Sequence, residues 1–315
     1  MPNSHYIIAV DVSKAKLDYY VSDTQRGCVE NTQQGVEKLL ALCASKDGEK
    51  PHLCLEHTGI YGHLLVQACH ERGITCSLLD SKKLYHYKCE HGLRAKTDPH
   101  DAKLIHLYAT DRKPAPTQAE STHHAKLREL QNLRTLLVQQ AAQLKTGCRQ
   151  ALQKEVLKHY ARNLAHLEKQ VAKLDARIAE LLDTQPETRT LREHLQEVQG
   201  VGPVTANAVL IHLSGALGHV SDKRIAALAG LAPVPDQSGQ SNKPWHIRGG
   251  RHQVRRVLYM AAVSAVRCNP ILKAFYKRLR TERHKPARCA LVAVARKLLC
   301  LLNRIAREPE FMPNR

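Results

Sequence analysis

The chain has 315 residues, long for one ordinary domain and suited to two with a connecting element. Its 43% hydrophobic content is enough for packed cores and argues against global disorder. No uninterrupted apolar run approaches membrane-spanning length. The start, Met1-Pro-Asn-Ser-His5, lacks the basic-then-apolar form of a signal peptide. Membrane-embedded and secreted classes are set aside, and a cytoplasmic protein is expected.

The net charge of +19 is unevenly spread. Residues 1–112 carry 14 Lys and Arg against 14 Asp and Glu, whereas residues 243–307 carry 17 Lys and Arg against the single acid Glu282. A merely solvated surface mixes both signs. So one-sided a block points to a polyanion, because neutralising phosphates releases condensed counterions. A membrane surface is the rival reading, and it calls for an exposed apolar helix face beside the charge. The ten cysteines have irregular spacing and no Cys-x-x-Cys, so buried reduced thiols are expected. His86, Cys89 and His91 are close in sequence but lack a second ligand pair for zinc.

The first 110 or so residues read as α/β. Tyr6–Val12 and Lys16–Ser22 have strand character, Val36–Ala44 has helical spacing, and His52–Glu56 is another apolar strand run. Leu64–Glu71 reads as a helix, Ile74–Leu79 as a strand and Asp98–Thr110 as a helix. Strands followed by helix–strand alternation predict a mixed sheet covered by helices. Lys113-Pro-Ala-Pro-Thr marks a boundary. Beyond it, Leu164, Leu167, Val171, Leu174, Ile178 and Leu181 form a heptad seam that Leu127, Leu130, Leu137, Ala141 and Leu144 fit less well. Both an antiparallel helical hairpin and an intermolecular coiled coil produce this pattern, and the region is assigned to assembly.

Pro186 closes the seam. Residues 198–210 then have the form of a helix-hairpin-helix. Gly200 and Gly202 would let backbone N–H groups approach a phosphate at a helix N-terminus. A helix is expected around Arg224–Ala229, then a Pro/Gly/Ser-rich loop from Ala232 to Gly250, then helices to about Arg307. The resulting division is 1–112, 113–185 and 186–315.

Four acids carry the chemistry of the first region. Asp11 lies inside an apolar strand, where a carboxylate is costly unless paired or bound to a cation. Glu56 ends a second such run. Asp98 and Asp101, three apart at a helix start, share one face; Asp98 is also a good helix N-cap, with Pro99 following. Converging, these four would form an all-oxygen site suited to Mg²⁺, with Mn²⁺ as an alternative, and two such ions about 4 Å apart can clamp a phosphodiester.

Asp11-Val-Ser-Lys-Ala-Lys-Leu-Asp18, Glu56-His-Thr-Gly-Ile-Tyr61 and Lys96-Thr-Asp-Pro-His-Asp-Ala102 resemble the three blocks of DEDD-type insertion-sequence transposases, the bridge-RNA- or seeker-RNA-guided recombinases. His57 departs from them, standing where a small residue is more usual. Ala229-Gly-Leu-Ala-Pro233, Ser238-Gly239, Ile247-Arg-Gly-Gly-Arg251 and Arg255-Arg-Val-Leu-Tyr-Met260 resemble the C-terminal domain of the same family, so the similarity covers nearly the whole chain.

The resemblance implies a ribonuclease-H-like (RuvC-like) N-terminal domain, a helical coiled-coil linker and a mainly α-helical C-terminal transposase domain. It also implies Asp11, Glu56, Asp98 and Asp101 as Mg²⁺ ligands, and Ser238 as a nucleophile, with Ser241 its nearest competitor. DNA and a structured guide RNA would be partners. The composite active site would form between protomers of a dimer or tetramer in a nucleoid-associated prokaryotic protein. Lys243, Arg248 and Arg251 would stabilise a pentacovalent phosphate, and Arg255 and Arg256 are further nucleic-acid candidates. Two other readings stand beside this one. The first is a Mg²⁺-dependent junction-resolving nuclease with an idle Ser238. The second is a non-catalytic nucleic-acid-binding protein.

Overall fold

The computed structural model describes residues 5–43, 50–57, 59, 61–92, 98–117, 121–238 and 241–311. Its contacts divide it into two compact units, Met1–Glu120 and Ser121–Arg315.

The first unit contains β1 (His5–Val12), β2 (Lys16–Tyr20), β3 (Arg26–Glu30), α1 (Gln33–Ala41), β4 (Lys50–Glu56), α2 (His63–Glu71), β5 (Thr75–Leu79), α3 (Ser81–Glu90) and α4 (Asp98–Arg112). The sheet order is β3-β2-β1-β4-β5, with β1 antiparallel to β2, β2 antiparallel to β3, and β1, β4 and β5 parallel. This mixed α/β arrangement is compatible with the ribonuclease-H-like expectation.

Alternation along the central strands assigns their two faces. Ile8, Val10, Leu53 and Leu55 pack with Val36 and Leu39 of α1 and Leu65 and Cys69 of α2. Ala9 and Cys54 turn the other way, onto Ile105 and Ala109 of α4. The segment after α4 docks along β5. Thr117 N donates to Cys76 O at 2.8 Å, Leu78 N donates to Thr117 Oγ1 at 2.8 Å, and Ser77 Oγ donates to Ala115 O at 2.9 Å. The expected boundary therefore also covers a sheet edge that would otherwise be open to pairing.

The second unit begins with two long helices, α5 (Thr122–Gln150) and α6 (Lys154–Asp183), and continues with α7 (Pro186–Gln196), α8 (Pro203–His212) and α9 (Asp222–Leu228). A two-stranded hairpin follows, β6 (Pro233–Ser238) and β7 (Ser241–Ile247), then α10 (His252–Cys268), α11 (Pro270–Thr281) and α12 (Ala287–Arg307). The hairpin stands where a loop was expected. Pro233, Pro235 and Pro244 demote the strand reading, because proline cannot donate to a ladder, and a two-stranded ribbon tolerates that loss on its outer edges. Helix α10 is the central column of the domain: Val254, Leu258, Ala262 and Ala265 are fully buried with Val294, Leu298 and Leu302 of α12 and Ile225 of α9.

The heptad seam is buried at its C-terminal end, at Ile178 and Leu181, whereas Leu164, Leu167, Val171 and Leu174 are half-buried. α5 and α6 form an antiparallel hairpin joined by Arg134–Asp175 at 2.6 Å and Lys145–Glu168 at 2.9 Å. Its lower end packs Leu127, Ile178, Leu181 and Leu182 against Ile211 of α8. Replacing the fully buried Ile178 by Ala should cost about 2–5 kcal/mol, and Ile178→Asp more. A melt followed by circular dichroism should show the loss as lowered thermal stability. Unchanged melting with a smaller particle mass would instead make Ile178 a contact between subunits.

Of the ten thiols, Cys43, Cys54, Cys69 and Cys76 are buried as expected, whereas Cys28, Cys89, Cys268 and Cys289 are exposed. His86, Cys89 and His91 do not form a zinc site: among the described residues no three His, Cys, Asp or Glu side chains stand together as one, and the His91 ring stacks on Tyr87. Among the described residues, no helix is long and apolar enough to cross a membrane.

Candidate active site

Register and alternation assign Asp11, Glu56 and Asp101 to one face of the first unit's sheet. Parallel pairing of β1 with β4 ends at Val10–Leu55, so Asp11 and Glu56 follow side by side, one residue further along each strand. By alternation Asp11 shares the face of Ala9, and Glu56 that of Cys54, which is the face covered by α4. On α4, Asp101 lies one turn before Ile105 and two before Ala109, in the stripe that packs on the sheet. Asp98 opens the same helix; its side chain lies outside the described residues.

Asp11 and Glu56 are half-buried at the strand ends, where the apolar core gives way to solvent. Asp101 Oδ1 accepts from Lys88 Nζ of α3 at 3.2 Å, so in this structure an ammonium compensates that carboxylate.

Two neighbours of the site escaped the sequence reading. One is Lys88. The other is Asp18, which the β1–β2 register sets directly opposite Asp11. Opposed like charges on adjacent strands are destabilising unless a cation lies between or near them. Counting back from the short turn at Ser13–Ala15 pairs 12 with 17 and 11 with 18; that is the signal from which Asp18 was recoverable. Carboxylate oxygens suit a hard divalent cation, but among the described residues no three of these side chains stand close enough together to hold one. Lys88 would have to give up Asp101 for such an ion to use it.

In the second unit, Ser238 is the last residue of β6 and pairs in backbone register with Ser241 at the head of β7, so both candidate nucleophiles sit at the tip of the hairpin. The side chains of Ser238 and Lys243 lie outside the described residues. Arg248 is exposed at the hairpin's foot, and Arg256 is exposed on α10.

Arg251 and Arg255 are held by their own domain. Arg251 Nη1 donates to His212 O, and Arg255 Nη1 donates to Gly249 O at 2.8 Å and to Gly230 O at 3.2 Å. His212 is buried, and that burial, with Arg251 and Arg128 nearby, pushes its pKa down to about 4, leaving the ring neutral at pH 7.

The glycine turn joins α7 to α8, as expected. Gly200 has φ +101° and touches α10 so closely that a Cβ would overlap Ala265; Gly202, at the N-cap of α8, has open space instead. Gly200 and Arg256 line one cleft of about 370 Å³, together with Arg134, His212, His252 and Gln253. The structure thus brings together two residues chosen separately from sequence.

Residues 8–157 match the model of DEDD transposases of the IS110 type, and residues 192–277 match that of the transposase IS116/IS110/IS902 family. Over 309 residues the chain is 27% identical to the pilin gene-inverting protein of Moraxella bovis, an alignment covering 96% of this chain and 95% of that protein. The pilin gene-inverting protein of Moraxella lacunata is 28% identical over the same length, with the same coverage. The 43.6 kDa protein of insertion element IS110 from Streptomyces coelicolor is 30% identical over 161 residues, 51% of this chain and 38% of that protein. The chain belongs to the IS110 family of DEDD transposases and is a DNA transposase or recombinase.

Proposed function

We propose that the chain recombines DNA by serine-mediated strand exchange, assisted by the carboxylate site and directed by a structured guide RNA. The observation that carries the exchange reading is the similarity, along nearly the full chain, to Moraxella proteins named for inverting a pilin gene. Inversion requires cut ends to be rejoined, which a hydrolase does not do.

In the proposed step the Ser238 hydroxyl attacks a DNA phosphorus. A Ser–O–P bond forms, a P–O bond to deoxyribose breaks, and the departing sugar oxygen takes up a proton as serine loses one. The phosphodiester energy is kept in the phosphoserine ester, so a second sugar hydroxyl can reverse the step on a new strand. Asp11, Glu56, Asp98 and Asp101 would hold Mg²⁺ or Mn²⁺, which when bound supplies charge stabilisation at phosphate oxygens. Serine on the C-terminal domain would meet carboxylates from a partner protomer, following the family resemblance, which makes the active form an oligomer.

Nucleic acid would lie along the basic residues after 243, with the open N-cap at Gly202 facing a phosphate. Arg248 and Arg256 are two exposed side chains placed to contact it. Arg256→Ala should lower the slope of log affinity against log salt by about one unit. Filter binding between 50 and about 200 mM salt measures this, and an unchanged slope would remove Arg256 from the phosphate contacts.

The function itself is tested by incubating the protein and copurifying RNA with DNA bearing the element's ends and target. Rejoined recombinant strands are expected; accumulation of free hydrolysed ends would favour the junction-nuclease reading.

A further inference from the structure

We infer that Arg255, acting with the glycine crossing of Gly230 and Gly250, is a positioning residue that aims the serine-bearing hairpin from its root. This inference rests on the proposed role of Ser238. The hairpin has two strands, too few to be rigid unaided. Its tip, with Ser238, is five residues from Pro233, about 17 Å of extended chain. A tilt of a few degrees at the root therefore moves the tip by about 1 Å. Misplacing a reacting group by that much can cost about 10²-fold in rate.

The root is built against such a tilt. Gly230 precedes β6, and Gly249 and Gly250 follow β7. All three have positive φ, at +68°, +66° and +66°. A Cβ on Gly250 would fall on the backbone N and Cα of Gly230, and a Cβ on Gly230 would meet Gly249 O and Arg255 Nη1. Only glycines allow the two rails to cross this closely.

Arg255 then joins the rails. One nitrogen of its guanidinium donates to Gly249 O at 2.8 Å and to Gly230 O at 3.2 Å, one carbonyl from each side of the hairpin. Arg255 stands in the first turn of α10, next to the fully buried Val254, so the clamp is mounted on the domain's central helix. Arg251 N adds a bond to Leu228 O at 2.8 Å, fixing the exit of the hairpin to the end of α9.

The expected signature separates positioning from phosphate binding. In Arg255→Ala, adduct formation at saturating DNA in single turnover should slow by about 10²-fold, while DNA affinity and its salt slope stay at wild-type values. Arg255→Lys should recover only part of the rate, because an ammonium on a flexible stem is held less firmly between the two carbonyls than the planar guanidinium. Gly250→Ala removes no charge, yet should give the same slow rate at normal affinity. A salt slope lowered by about one unit, with wild-type rate at saturation, would overturn the inference and make Arg255 a phosphate ligand. Wild-type rate in Gly250→Ala would overturn the crossing.

Loss of the serine reading is distinguishable: Ser238→Ala would still form the adduct, or the wild-type protein would form none. The clamp is then judged by amide hydrogen exchange over residues 233–247, which should speed up in both Arg255→Ala and Gly250→Ala. Unchanged exchange there would overturn it independently.

Discussion

Asp11→Asn and Asp101→Asn should each lower DNA cleavage by about 10²–10³-fold or more, while leaving the fold and most nucleic-acid affinity in place. Asn is nearly isosteric with Asp but carries no charge, so it keeps the shape of the site and weakens its hold on a divalent cation. The fold should persist because β1 is anchored by its fully buried residues Ile8, Ala9 and Val10, whereas Asp11 lies beyond them at the strand's half-buried end. Affinity should persist because the positive charge is concentrated after residue 243. Asp101→Asn also removes the partner of Lys88, but that pair is partly exposed and contributes little to stability. Cleavage of labelled DNA with Mg²⁺, beside filter binding on the same preparations, measures both effects. Chelating the metal should reproduce the loss in the wild-type protein. A variant that cleaves at the wild-type rate would remove that acid from the essential set.

Ser238→Ala should eliminate strand exchange and the covalent intermediate together. A serine hydroxyl that becomes the bridging oxygen of a phosphoester has no substitute in alanine, so the effect is expected to be complete. Nucleic-acid binding should remain, because the hydroxyl adds no charge to the basic surface. Ser241→Ala is the matched control: it pairs with Ser238 across the same hairpin tip but stands on the other strand. It should be milder. Recombination by the Ser238→Ala protein would remove Ser238 as the essential nucleophile.

The N-terminal sheet was legible because its central strands are apolar runs with acids at their ends. Ile-Ala-Val-Asp and Leu-Cys-Leu-Glu announce both the strands and the point where each leaves the core. Strand β3, Arg-Gly-Cys-Val-Glu, was not legible: it is an edge strand, mostly exposed, and buries too little to show an alternating pattern. Helix α3 hid behind its polar composition. Its one local sign is Asp80, whose carboxylate accepts from Lys82 N and Lys83 N as the helix cap.

The leucine seam gave the helices but not their partner, since heptad spacing is the same within a chain and between chains. The arginines after 247 show a different limit. Their charge is plain in the sequence, yet nothing in it separates Arg255, bonded to two carbonyls, from Arg256, exposed beside the cleft. Neighbouring residues on a helix point about 100° apart, and only the packing of α10 decides which one faces the hairpin root.

The most direct measurement is the chemical identity of the protein–DNA linkage. End-labelled DNA carrying the element's ends is incubated with the protein, any RNA that copurifies with it and Mg²⁺, resolved under denaturing conditions, and any labelled adduct is digested and mapped. The account predicts a phosphoserine ester on Ser238 that disappears on chelation and in Asp11→Asn. A linkage mapped to Ser241, or cleaved and rejoined DNA with no covalent protein at any time point, would contradict it.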